Sequence, residues 1–141
     1  MAVPKETWEY MEKHLGYSEE EKELFRKNPR NADVLDKGKA LMGKTIVFEV
    51  MDSHGCNSRH RVGDRFYFDG AGNLLTKLNP SRICIFALAQ LSGLVFAANE
   101  LLYAGVDPNE IRFKHTGCFD VGVRCGGWGH INMKMSVEDR K

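Results

Sequence analysis

The sequence has almost no excess of charge of either sign. Its 141 residues carry a formal net charge of +1, so no global field draws the chain to nucleic acid or an anionic membrane. It also lacks a basic stripe interleaved with aromatics, and no nucleic-acid partner is expected. No apolar run reaches the ~20 residues that span a bilayer. The longest, Ile83 to Ala98, is interrupted by Gln90 and Ser92 and flanked by Arg82 and Glu100. It reads as a buried helix, and no membrane association is expected. The segment from Met1 to Trp8 lacks the charged and apolar regions of a signal peptide, which gives a cytoplasmic expectation. Thiols stay reduced there. The serine-histidine-aspartate order, the zinc-deaminase pattern and the zinc-protease helix are all missing. The four cysteines, Cys56, Cys84, Cys118 and Cys125, therefore read as ligands, catalytic thiols or core residues rather than disulfides.

What is present predicts an α+β fold: a small, mostly antiparallel sheet packed on one long apolar helix, preceded by an N-terminal helical arm. The arm covers 1–43 and the core domain 44–141. Within the arm, Ser18 and Glu21 form a capping box, Glu19 to Glu21 complement the helix dipole, and Asn28-Pro29 ends the helix. Further helix is expected from about Ala32 to Leu41. Thr45 to Met51 is β-branched and reads as a strand, as does Asp64 to Phe68. Asp69 to Asn73 is a turn. Leu74 to Lys77 is a short return strand. Asn79-Pro80 is expected to cap and open the central helix, which runs to about Tyr103 before Gly105. Strands are predicted from Glu110 to His115 and, on clean alternation, from Ile131 to Val137. The helix is apolar on more faces than one small sheet covers. That predicts a homodimer, with Leu91, Leu94 and Val95 as contact residues.

Gly38-Lys-Ala-Leu-Met-Gly43-Lys44-Thr45 matches the phosphate-loop pattern letter for letter. The pattern works only between a strand and a following helix, where the helix N-terminus faces phosphate. Here helix precedes and strand follows, so nucleotide binding is not expected.

Two loops concentrate soft ligands: Cys56 with His60, four residues apart, and Cys118 with Cys125. Thiolate and imidazole suit zinc or iron better than magnesium or calcium. The six residues between Cys118 and Cys125 exceed the usual zinc-hook spacing. A buried Cys56 and a His60 bonded to a turn would explain the first pair equally simply. Cys84, set among Ile83, Ile85 and Phe86, reads as a core thiol. Gly126-Gly127-Trp128-Gly129 either lets backbone approach a ligand, with Trp128 as a pocket wall, or is a bulge entering the last strand.

From about Lys44 to Val137 the chain resembles a family of small, functionally uncharacterised bacterial and archaeal proteins. The resemblance rests on Cys56, His60, Gly63, Asp64 and Phe66, then Cys84, then Cys118 with Asp120. Asn57 stands where the family pattern has proline, and Arg59 where it has glycine. The resemblance implies that Cys56, His60 and Cys118 share one site.

The leading expectation is a zinc or iron site held by Cys56, His60 and Cys118, with Cys125 as candidate fourth ligand. Three ligands leave the open position of a catalytic zinc, and His54, Asp64 or His115 would orient a bound water or move protons. A metal-free enzyme is the alternative, with Cys56 or Cys118 as nucleophile and His60 or His115 as base. A non-enzymatic accessory subunit or small-ligand module, with Trp128 lining the pocket, is the third.

Overall fold

The computed structural model describes residues 3–140. The chain divides between Ala40 and Leu41 into two compact units. The first is helical: α1 (Lys5–Leu15), α2 (Glu19–Arg26) and most of α3 (Arg30–Met42). The Ser18 Oγ accepts the Glu21 N–H at 3.2 Å, the cap that the sequence predicts. Trp8 meets Phe25 edge-on, and the Arg26 guanidinium lies over the Trp8 ring.

The second unit holds four antiparallel strands, β1 (Lys44–His54), β2 (Arg65–Asp69), β3 (His115–Gly117) and β4 (His130–Asp139), in the order β2-β1-β4-β3. β1 is central and pairs with β2 from Thr45 to Glu49 and with β4 along its whole length. One sheet face carries Ile46, Phe48 and Val50 from β1, Phe66 and Phe68 from β2, and Ile131, Met133, Met135 and Val137 from β4. These side chains form the core with Ala87, Leu91, Leu94 and Ala98. Each large one contributes about 1.5–3 kcal/mol on burial. On the opposite face Arg65 lies over Tyr67 and bonds Glu138 at 2.7 Å. The fold is α+β, as the sequence predicts, with helix α3 before Lys44 and strand β1 after it. The phosphate-loop order is thus reversed in the structure as well.

The central helix departs from expectation at its start. It begins with α4 (Ile85–Leu88), passes through a 3-10 turn at Ala89–Leu91 and continues as α5 (Ser92–Tyr103). Asn79 does not cap it. Its side chain instead accepts the Tyr67 N–H at 2.9 Å and donates to the Tyr67 carbonyl at 2.8 Å, completing the outer edge of β2, where the expected Leu74–Lys77 strand is reduced to a single Phe68–Leu74 bridge. Asn109 does the same at Val137 on β4, with both bonds at 2.8 Å. The expected Glu110–His115 strand is replaced by a 3-10 turn at Pro108–Glu110, capped by Asp107, and the strand there is only His115–Gly117. An amide side chain can mimic a strand's backbone pair, so one asparagine takes the place of an edge strand.

Residues 87, 91, 94 and 98 recur at helical spacing and bury one stripe of the helix against the sheet. By length and composition the segment Ile85–Tyr103 is apolar enough to cross a membrane, but that stripe packs inside this domain. Leu91 and Leu94, expected at a dimer contact, belong to the core because they sit in the stripe. The outward face carries Ile85, Phe86 and Phe96.

Candidate functional site

A cavity of about 250 Å³ lies where four segments of the second unit converge. The loop after β1 brings Cys56, Ser58 and His60; the start of α4 brings Cys84 and Phe86; the loop after β3 brings Cys118 and Asp120; the entry to β4 brings Trp128 and His130. Three of the four cysteines therefore face one small space.

Two backbone devices hold the segments together. Gly129 packs directly on Gly55: a Cβ there would lie 2.0 Å from the Gly55 carbonyl oxygen and 2.7 Å from the Cys56 nitrogen. The Asp120 carboxylate accepts N–H bonds from Gly122 at 2.9 Å, Trp128 at 3.1 Å and Gly129 at 3.2 Å. Those bonds, Gly122 first, hold its carboxyl below the usual carboxylate range. Gly127 is needed for the same contact, since a Cβ would sit 2.1 Å from the Asp120 oxygen. The glycine-tryptophan string is thus a clasp between the cysteine loops. It leaves Trp128 79% exposed at the cavity wall.

His60 is 4% exposed and anchors the helix start. Its Nε2 accepts the Cys84 N–H at 3.2 Å, so the ring proton sits on Nδ1, 4.0 Å from Asp64. Burial pushes the imidazole below the ordinary histidine range, against a smaller upward pull from Asp64.

Cys84 occupies the position before the first helical residue, not the second turn. Burial opposes ionisation of its thiol. The Ser58 side chain and the N–H groups of Phe86 and Ala87 outweigh that, and the net result lies below the ordinary cysteine value. Cys118 is held differently. Its thiol donates to the Asp120 carbonyl at 3.5 Å and accepts the Ile131 N–H at 3.4 Å. His130 Nδ1 also donates to that carbonyl, and its ring lies on Gly117, where a Cβ would sit 2.5 Å from Cε1.

Of the residues expected at the site, Cys56, His60, Cys118 and Trp128 line the cavity. Cys125 is exposed on a 3-10 turn and does not line it. His54, Asp64 and His115 are not among the lining residues either. His54 ends β1 opposite His130; His115 bonds Asn132; Asp64 accepts the Arg61 N–H at 2.8 Å and turns the loop. Among the described residues no three histidine, cysteine, aspartate or glutamate side chains form a set that could hold a metal ion.

Sequence reasoning missed Cys84 as a cavity residue, because Asn79-Pro80 carries the stronger local signal for a helix start. It gave no role to Ser58, or to His130 at the end of the glycine-tryptophan string; neither carries a spacing signal.

Arg59 is the only non-glycine residue with positive φ among the described residues, at 60°. The left-handed conformation costs a residue with a Cβ about 1–2 kcal/mol, offset in part by the greater unfolded freedom of glycine, about 0.5–1 kcal/mol. Arg59→Gly is expected to raise stability by up to about 1 kcal/mol in urea unfolding. A loss of stability would show that the Arg59 side chain holds the loop. Compared with protein-family models, curated proteins and solved structures, the chain matches none.

Proposed function

We propose that this protein is a thiol-dependent module that takes a small electrophilic ligand into the cavity, with Cys84 as the nucleophile. The observation that carries the reading is the convergence of Cys56, Cys84 and Cys118 on one space of about 250 Å³. Within it, the Ser58 hydroxyl and the N–H groups that open α4 outweigh burial and lower the Cys84 thiol below its ordinary value, which favours the reactive thiolate. Phe86 and Trp128 supply apolar wall against which a ligand packs, and Asn57 and Ser58 supply polar groups that orient it. His60 acts as a positioning residue, since its free lone pair is already engaged by the Cys84 N–H.

Alkylation by iodoacetamide at pH 7, followed by peptide mass spectrometry, checks this. Cys84 is expected to react at least about tenfold faster than free cysteine. Reaction at the free-cysteine rate would end the reading. The zinc or iron reading draws less support, because Cys125 does not line the cavity and the Nε2 of His60 is occupied. Metal analysis of the same preparation, made without chelator, separates the two. Stoichiometric zinc or iron that protects Cys84 from alkylation would overturn the thiol reading, and less than about a tenth of an equivalent would remove the metal reading.

A further inference from the structure

The second and third thiols of the cavity are not needed for a single nucleophile. Cys118 is tied to the Cys84 segment by the backbone: the Phe119 N–H donates to the Phe86 carbonyl at 3.0 Å. That bond staples the loop after β3 onto the first turn of α4, with one thiol just before each end of the staple. The Phe86 and Phe119 rings pack together over it, with centroids 6.0 Å apart. No comparable backbone bond joins Cys56 to either segment among the described residues.

The two sulfurs are also held differently. Cys84 stands immediately before the first turn of α4, with its N–H bound to His60 at 3.2 Å. The Cys118 thiol donates its proton to the Asp120 carbonyl, which the Asp120 side-chain clasp keeps in place. Cys118 also accepts the Ile131 N–H at 3.4 Å and lies 3.5 Å from His130 Nδ1, and both sulfurs line the same space.

We propose that Cys84 and Cys118 form a two-electron redox couple, and that the electrophile is a small hydroperoxide. The inference rests on the thiol reading above. In the first step the Cys84 thiolate attacks the outer peroxide oxygen. A sulfur–oxygen bond forms, the oxygen–oxygen bond breaks, and the leaving alkoxide or hydroxide takes a proton to become an alcohol or water. Cys84 is oxidised to the sulfenic acid. In the second step the Cys118 sulfur attacks the sulfenic sulfur. A disulfide forms, and the oxygen leaves as water with the Cys118 proton. A low-molecular-weight dithiol restores both thiols by exchange. The cavity volume of about 250 Å³ suits a small peroxide. The aromatic wall of Phe86 and Trp128 favours an alkyl or aryl hydroperoxide over a charged oxidant.

The experiment treats the reduced, full-length protein with one equivalent of cumene hydroperoxide at pH 7, then maps disulfides without reduction. The expected product is the Cys84–Cys118 bridge, formed at least about tenfold faster than free cysteine consumes the same peroxide. Cys118→Ser is expected to stop at a sulfenic acid on Cys84, trapped by dimedone, and Cys84→Ser to form neither product. A Cys84–Cys56 bridge would overturn the assignment of Cys118. Fast iodoacetamide labelling of Cys84 with no gain in peroxide rate would overturn the redox proposal and leave the thiol reading standing. Slow labelling together with slow oxidation would remove both. Circular dichroism of each variant shows that the fold is retained.

Discussion

Gly129→Ala is expected to cost the domain at least about 3–4 kcal/mol, which places it in the tail of single substitutions. The added methyl would meet the Gly55 oxygen at 2.0 Å and its carbonyl carbon at 2.1 Å. All the contacted atoms are backbone, so no side-chain rotation relieves the clash. Either β4 or the loop carrying Cys56 has to move, and each is fixed by the β1–β4 ladder, which pairs His54 with His130 beside the contact. Chemical unfolding measures the loss. Gly38→Ala is the control. Gly38 lies inside α3 at ordinary φ, and a methyl group added there would meet nothing within 4 Å, so the substitution is expected to gain about 0.5–1 kcal/mol. The Gly129 variant is also expected to lose selective alkylation of Cys84, because the clasp that shapes the cavity has opened. A Gly129→Ala protein as stable as the parent would mean that the two loops do not meet as described.

The fold was legible where a side-chain period reports burial. β4 alternates through Ile131, Met133, Met135 and Val137, and the structure buries those four. β1 was legible from its β-branched run, and α2 from its capping box. The errors share a cause. Asn79-Pro80 and Asp107-Pro108 are strong local signals for helix starts and turns, but the side chains of Asn79 and of Asn109, just after the second, serve strands distant in sequence. Local chemistry shows that an asparagine will cap something. It does not show whether the backbone it satisfies lies three residues away or twenty-eight.

The candidate site was legible as two cysteine loops and not as a geometry. Cys56, His60 and Cys118 converge because Gly55 and Gly129 touch, and a glycine's need for close approach leaves no mark beyond the glycine itself. Cys84 reads as core from its apolar neighbours, and it does pack, partly buried, against the core beside Ile83, but it also lines the cavity. The two residues after it point outward: Ile85 and Phe86 are exposed. Cys125 sat at a suggestive distance from Cys118, but the Asp120 clasp folds the intervening loop so that Cys125 stays outside the cavity.

His60→Ala is expected to cost about 2–4 kcal/mol, from the cavity left beside Phe66 and from the unpaired Cys84 N–H. His60→Gln restores an acceptor and should recover part of that loss. The sharper signature is pH. Burial lowers the folded-state pKa of His60 below its ordinary value of 6.5. Between those two values the unfolded chain binds a proton that the folded chain does not. The stabilisation is therefore complete above about pH 6.5 and is lost as pH falls through the folded value, by at most about 1.4 kcal/mol per pH unit. Asp64 works against the shift and Arg82 with it, so neither reverses its direction. Urea unfolding of parent and His60→Gln across pH 7 to pH 5 decides the matter: the parent should lose stability and the variant should lose less. Parallel profiles would show that His60 is not held neutral, and that the Cys84 N–H is positioned by the helix turn alone.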